Sequence, residues 1–371
     1  MTTASKPFSA AHRNDAMSLL LLASPLPLGT EALPRPVDGG AALARAALET
    51  GLAAALYAAL SARGGLGGFS QEVREGLEAA FVLNSERNSN LLRQMRDLDG
   101  ILRDIGIGPV FLKGSAILLA KVYPVSGARL LGDLDVLVPP ERIEDAVAAA
   151  QSAGYRSATP DHLSDAYRLG ITMASWHAAP LFHPDLPGTL ELHRAFDPRT
   201  SSPALTARGI LSGAVPSDLG GLLRPSDTAM MGMALTHWLR HVPVWGPEPL
   251  GVKDCLDLLY LVHADPGLAK RTAAQDRRLA IVLDIADRRF ARHGVGRPLG
   301  TAPRLDGALA SLVGRMLKAT GLWPPLFRAF SPRLWSIRLR LAWHSRAYRT
   351  HLAAGRADAD LPPSEHDLWH R

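Results

Sequence analysis

Cysteine is almost missing from this chain: Cys255 is the only one in 371 residues. One thiol excludes an intrachain disulfide and any metal site built from several cysteines, and it points to a reducing compartment. Lysine is scarce as well, with six residues, so arginine carries nearly all the positive charge. No apolar run approaches the ~20 residues of a membrane span. The stretch from Ala16 to Leu28 is apolar but short, follows Asp15 directly and is interrupted by Pro25 and Pro27. It reads as a first helix capped by Asn14 or Asp15 rather than as a signal peptide. A cytoplasmic protein without a membrane span is expected.

What is present is an ordinary globular composition, 47% hydrophobic and 20% charged, in a chain long enough for two or three domains. The net charge of +6 suits anionic substrates such as nucleotides, without making nucleic acid the favoured partner.

The pattern divides the chain into helical residues 1–105, an α/β core over 106–200 and helical residues 201–371. Ala41–Ala62 is rich in alanine and leucine and stops at Gly64-Gly65. A second long helix begins at Ser70, its N-cap, with Glu72 in the first turn. It carries Leu77, Phe81, Leu91, Met95, Leu98 and Leu102, a helical repeat with a slip in the middle. After Gly106-Ile107-Gly108-Pro109 the period changes. A short strand over 110–112, a helix over 115–122, a strand over 134–138 and a helix over 141–153 precede a hairpin made of 175–182 and 189–196. Helices return at 229–241 and 252–263. The fold class expected is α+β, a small mixed sheet flanked by helices.

Gly132-Asp133-Leu134-Asp135-Val136-Leu137-Val138 carries the strongest chemical signal. Residues two apart on a strand face the same way, ~7 Å apart, so Asp133 and Asp135 project together while Leu134, Val136 and Val138 turn inward. Two carboxylates on one face repel unless a cation lies between them, and magnesium prefers such oxygen ligands. By itself, the pair equally fits a turn and a solvated strand edge. Upstream, Lys113-Gly114-Ser115 stands where strand meets helix, a place for backbone N–H groups to meet phosphate, with Lys113 as a point charge. An ordinary tight turn capped by Ser115 has the same sequence, and the spacing of a Walker A loop is absent. Downstream, Leu190-Glu191-Leu192-His193 alternates, with leucines inward and Glu191 and His193 on the opposite face. Glu191 there suits metal binding or proton abstraction.

Taken in order, these residues resemble the active-site pattern of the polymerase-β nucleotidyltransferase superfamily. More closely, Leu112-Lys113-Gly114, Tyr123-Pro124, Arg129, Asp133-Leu134-Asp135, Gly154-Tyr155 and Glu191-Leu192-His193 look like a bacterial nucleotidyltransferase-like family. The resemblance implies catalytic and metal-binding roles for Asp133, Asp135 and Glu191. They would hold two magnesium ions, replaceable by manganese. It also implies that Lys113, Gly114, Ser115 and Arg129 bind a nucleoside triphosphate, with ATP the expected donor. The acceptor would be a small molecule, a peptide or a protein. Seventeen residues separate Ser115 from Asp133, more than is usual in the superfamily, and Arg129 is the candidate to reach phosphate in place of Ser115.

Two other readings share these residues: a DxD glycosyltransferase, which predicts a larger sheet before the Asp pair, and a catalytically silent nucleotide-binding or assembly protein. His177, His183, His237, His241, Asp254 and Asp257 read as packing or structural residues, and the basic, tryptophan-containing stretch over 317–351 reads as an amphipathic helix.

Overall fold

The computed structural model describes residues 22–25, 38–157, 176–196, 202–241, 252–292 and 298–300. Most of the N-terminal apolar run, Ser175 and the tryptophan-containing stretch over 317–351 lie outside these residues, as does the side chain of His241.

The first alanine-rich segment forms two helices rather than one, α1 (Ala41–Glu49) and α2 (Ala53–Ala62). The break falls at Gly51, whose φ of +71° suits glycine, and a Cβ there would lie 2.8 Å from the Leu130 side chain. Helix α3 (Gln71–Asp104) starts as expected, with the Ser70 hydroxyl accepting from the Val73 amide and Glu72 in the first turn. Its buried positions explain the slip in the apolar repeat: Asn84 and Asn88 fill the two inward turns between Phe81 and Leu91. The stripe is continuous in geometry but changes from apolar to polar where it meets a loop.

The core follows: β1 (Val110–Phe111), α4 (Lys113–Leu119), β2 (Asp133–Leu137), α5 (Ile143–Ser152), β3 (Arg156–Ser157), β4 (Leu181–Phe182) and β5 (Thr189–His193). Next come α6 (Ala207–Ser212), β6 (Val215–Pro216) and β7 (Leu223–Arg224). Helices α7 (Asp227–His241), α8 (Val252–Ala264), α9 (Leu268–Gln275) and α10 (Arg277–Arg292) complete the described chain. Among the described residues the seven strands form one mixed sheet in the order β3-β4-β5-β2-β1-β7-β6. Strands β2 and β5 are parallel, and β1 is antiparallel to β2 and parallel to β7. This is an α+β core, a small mixed sheet with helical flanks. The sheet extends past residue 200 through β6 and β7, two-residue strands too short to show a period in the sequence.

One face of the sheet presents Leu134, Val136, Leu190 and Leu192 to Leu91, Met95 and Leu98 of α3 and to Ala146 and Ala150 of α5. Each leucine buried there contributes roughly 1.5–3 kcal/mol. The opposite face buries Val110, Leu137 and Phe196 against Ile210 of α6 and Met233 of α7. Ala116 and Ile117 of α4 belong to a third cluster with Met231, Leu235, Leu256, Leu259 and Leu283 of the C-terminal helices. Because a strand alternates, filling the α3 face with Leu134 and Val136 drives Asp133 and Asp135 to the other side. No described helix is long and apolar enough to cross a membrane.

Candidate active site

Strands β2 and β5 run in register, with Asp135 opposite Glu191, Leu134 opposite Leu190 and Leu137 opposite His193. In a parallel pair, opposed residues put their side chains on the same face, so Asp135, Glu191 and His193 converge. Each offers a ligand atom within 4.8 Å of the other two. The Nε2 of His193 lies 2.8 Å from Asp135 Oδ1 and 3.6 Å from Glu191 Oε2. Lys113 Nζ donates to Asp135 Oδ1 at 2.5 Å. Asp135 and His193 are buried, Glu191 is half-buried, and Asp133 stands exposed at the entrance of β2.

The charges in this cluster act on one another. Burial pushes the Asp135 carboxyl up, but the Lys113 ammonium and the His193 imidazole outweigh it and hold the group well below the usual carboxylate range. Burial likewise opposes ionisation of Glu191, and the bond to His193 brings its pKa below the ordinary value. Asp133 moves the other way, raised by partial desolvation at the end of the strand and by the neighbouring negative charges of Asp135 and Glu191. Burial disfavours the Lys113 ammonium, yet Asp135 and Glu191 together raise its pKa. Asp135 and Glu191, with Asp133 in electrostatic reach, outnumber the Lys113 ammonium, and such an excess of carboxylate suits a divalent cation. The donor set fits one: carboxylate oxygens with an imidazole at hydrogen-bond distance, which orients Asp135 in the way that outer partners orient metal-binding carboxylates.

Lys113 takes an unusual backbone conformation, with φ at +46°. A side chain in the left-handed region costs on the order of 1–3 kcal/mol, and here it directs the ammonium at Asp135. Helix α4 begins at this residue, two positions earlier than the sequence suggests, with Leu112 as its N-cap. Ser115 is therefore not the cap. It lies fully buried in the first turn. Gly114 is small because Arg129 packs over it: a Cβ would fall 2.5 Å from Arg129 Nη1 and 2.5 Å from Leu131 Cδ1.

The Arg129 guanidinium grips Asp257 of α8, with Nη2 to Oδ2 at 2.8 Å and Nε to Oδ1 at 2.9 Å. The third nitrogen, Nη1, donates to the Leu130 carbonyl at 3.2 Å. Tyr123 adds its hydroxyl to Asp257 Oδ1 at 2.7 Å. The side chains of Arg129 and Asp257 are only 11% and 8% exposed. Burial opposes the guanidinium charge, but Asp257 raises its pKa above even the usual arginine value.

Helix α3 sets the loops that deliver the acids. Arg87 Nε donates to the Leu131 carbonyl at 2.9 Å, while Nη2 donates to Gly132 and Pro187 at 3.0 Å each. Those carbonyls immediately precede β2 and stand two residues before β5, so one side chain joins the entrances of both acid-bearing strands. Asn84 donates to the Gly127 and Arg129 carbonyls, and Asn88 to Ser126 and Arg129. Gln94 exchanges two bonds with Gly188, at 2.8 and 2.9 Å. None of these four side chains stands out by motif. The signal they do carry is that of polar residues in phase with an apolar helical stripe.

The histidines separate by role. His177 forms a bridge with His193 across the hairpin, its ring 5.3 Å away, and burial lowers its pKa. His183 packs edge-on against Tyr155, away from the acids, and His237 lies 3.1 Å from Asp254.

The glycosyltransferase reading required a larger sheet ahead of the Asp pair. Among the described residues only the two-residue β1 precedes β2 in sequence. Neither the curated proteins nor the solved structures yielded a match to the chain. A family described as uncharacterised nucleotidyltransferase matches residues 40–280, which include α1 to α9, the whole sheet and every residue of the acid cluster. A match over well over half its length places this chain in that nucleotidyltransferase family.

Proposed function

We propose that the chain transfers a nucleoside monophosphate from a nucleoside triphosphate, ATP in the first instance, to a nucleophilic group of a small molecule, peptide or protein. The acceptor attacks the α-phosphorus, the bond to the β-phosphate oxygen breaks, and pyrophosphate leaves. The observation that carries this reading is the register of β2 with β5, which sets Asp135 beside Glu191 with Asp133 at the open end.

In this reading Asp133, Asp135 and Glu191 hold magnesium, as in the polymerase-β-like pattern that the motif order resembles. Bound there, the metal would lower the pKa of an acceptor hydroxyl and neutralise charge on the triphosphate. Glu191, kept ionised by His193, serves as a ligand more readily than as a proton acceptor. His193 fixes the orientation of Asp135. The first-turn amides of α4, including those of Gly114 and Ser115, have no carbonyl four residues back within the helix and would donate to phosphate in this reading. Lys113 stands beside them as a point charge. Arg129 braces this turn through Gly114.

Asp133 is the residue to change first, because it is exposed and replacing it leaves no buried cation unpaired. Asp133→Asn should keep the wild-type melting temperature while magnesium-dependent pyrophosphate release from ATP falls on the order of 10³-fold. Release at the wild-type rate in this variant would remove Asp133 from the proposed site. Asp135→Asn should lose both activity and stability, since Lys113 and His193 would be left without their charge partner.

A further inference from the structure

We propose that Lys113 is a resident counter-ion of the acid cluster, one that exchanges places with the divalent metal. When the metal takes Asp135, the released ammonium turns to the triphosphate that arrives with it. The inference rests on the nucleotidyl-transfer reading and deepens it, because it says how metal and nucleotide are made to bind together.

Two donors meet on one carboxylate oxygen. Lys113 Nζ stands 2.5 Å from Asp135 Oδ1, and His193 Nε2 stands 2.8 Å from the same atom. A carboxylate oxygen has two lone pairs, so both directions on Oδ1 are in use. The same His193 nitrogen lies 3.6 Å from Glu191 Oε2, which puts Oδ1 at the centre of the cluster. A cation shared by Asp135 and Glu191 must displace a donor from Oδ1 or settle on the other oxygen beside a like charge. Of the two donors, only the lysine has somewhere to go. His193 is fully enclosed, whereas the Lys113 side chain is 25% exposed against 3% for Asp135. Its four-carbon stem lets the ammonium swing outward without moving the backbone. That backbone is held at φ +46°, in the left-handed region, and strain of this kind gathers at sites where it serves a mechanism. Arg129 cannot take the role, since both Asp257 oxygens hold it.

The exchange conserves ion pairs. Before it, ammonium pairs with carboxylate in the protein, and metal pairs with triphosphate in solution. After it, metal pairs with carboxylate, and ammonium pairs with triphosphate. Metal alone would strand the ammonium next to a like charge. Triphosphate alone would have to pull the ammonium away from Asp135. Each ligand therefore favours the other.

The test is manganese binding to the full chain, followed by loss of the free-ion EPR signal, in wild type and Lys113→Met. Removing the competitor should tighten manganese about tenfold or more. Manganese should also raise the melting temperature of Lys113→Met more than that of wild type. Equal affinities, or weaker binding in the variant, would overturn the exchange while leaving nucleotidyl transfer standing. Should Lys113→Met fail to fold, wild type carries the test by itself, through amine acetylation read by mass spectrometry. Magnesium should make Lys113 react several-fold faster and ATP should slow it again, with the other five lysines as references. A Lys113 rate that magnesium leaves unchanged or lowers, or that ATP fails to slow, would also overturn the proposal. If neither wild type nor variant binds manganese, with or without ATP, the metal-dependent reading falls and this inference with it.

Discussion

Arg129 and Asp257 meet in a two-pronged ion pair that ties the loop before β2 to helix α8. Both side chains are about nine-tenths buried. Removing one partner of such a pair leaves an uncompensated charge, at a cost of about 3–5 kcal/mol. Asp257→Asn and Arg129→Met should each lower the unfolding free energy by that order in denaturant titration. The double variant Arg129→Met with Asp257→Leu should recover a large part of the loss. If Arg129→Met unfolds like wild type and only nucleotide affinity suffers, the arginine binds substrate after all.

Arg87 should matter more to turnover than its place on a helix surface suggests. Arg87→Met removes three hydrogen bonds to the segments that deliver Asp133 and Glu191. Bonds from a charged donor contribute roughly 1.5–3 kcal/mol each at most, and less where water can replace them. We expect a stability loss of about 2 kcal/mol by urea unfolding. We also expect a fall in kcat that persists at temperatures where the variant is fully folded. An unchanged kcat with only a lower unfolding midpoint would limit Arg87 to a structural role.

The alkaline limb of the stability curve should depend on Tyr123. Burial and the adjacent Asp257 carboxylate push the phenol well above its ordinary value of 10.0. A group whose pKa is raised on folding contributes stability that is complete below its unfolded pKa and is lost as pH rises through the folded value. Wild type should therefore lose stability above pH 10, whereas Tyr123→Phe should start lower and decline less steeply there. Thermal unfolding of both proteins from pH 8 to 11 measures the difference. Parallel curves across that range would show that Tyr123 does not drive the alkaline loss.

The acid strands are legible in the sequence because a two-residue period leaves little freedom: once Leu134 and Val136 are core, Asp133 and Asp135 must face away. The same rule applied to Leu190 and Leu192 exposes Glu191 and His193 as a pair. Register is what the sequence lacks. Nothing in a lone strand says that Asp135 will stand opposite Glu191 rather than one step off, and that pairing brings Asp135, Glu191 and His193 into one cluster. The partner of Arg129 is not legible in the sequence, because Asp257 stands 128 residues later in the chain. The strands β6 and β7 escape notice because two residues cannot display alternation. Asn84 and Asn88 look like a fault in an apolar repeat, although their spacing keeps the helical phase. A polar residue in phase with a buried stripe is as informative as an apolar one, because its donors need somewhere to go.

Arg87 holds both strand entrances from outside the sheet, and that arrangement has a mechanical consequence. The spacing between the two halves of the acid cluster is fixed by the β2–β5 ladder, and one planar guanidinium on a 34-residue rod ties the entrances of that ladder to α3. The Lys113 turn belongs to the same sheet through β1 and through the Leu112 amide, which donates to the Asp135 carbonyl. A tilt of the rod would therefore carry the carboxylates and the Lys113 turn as one body.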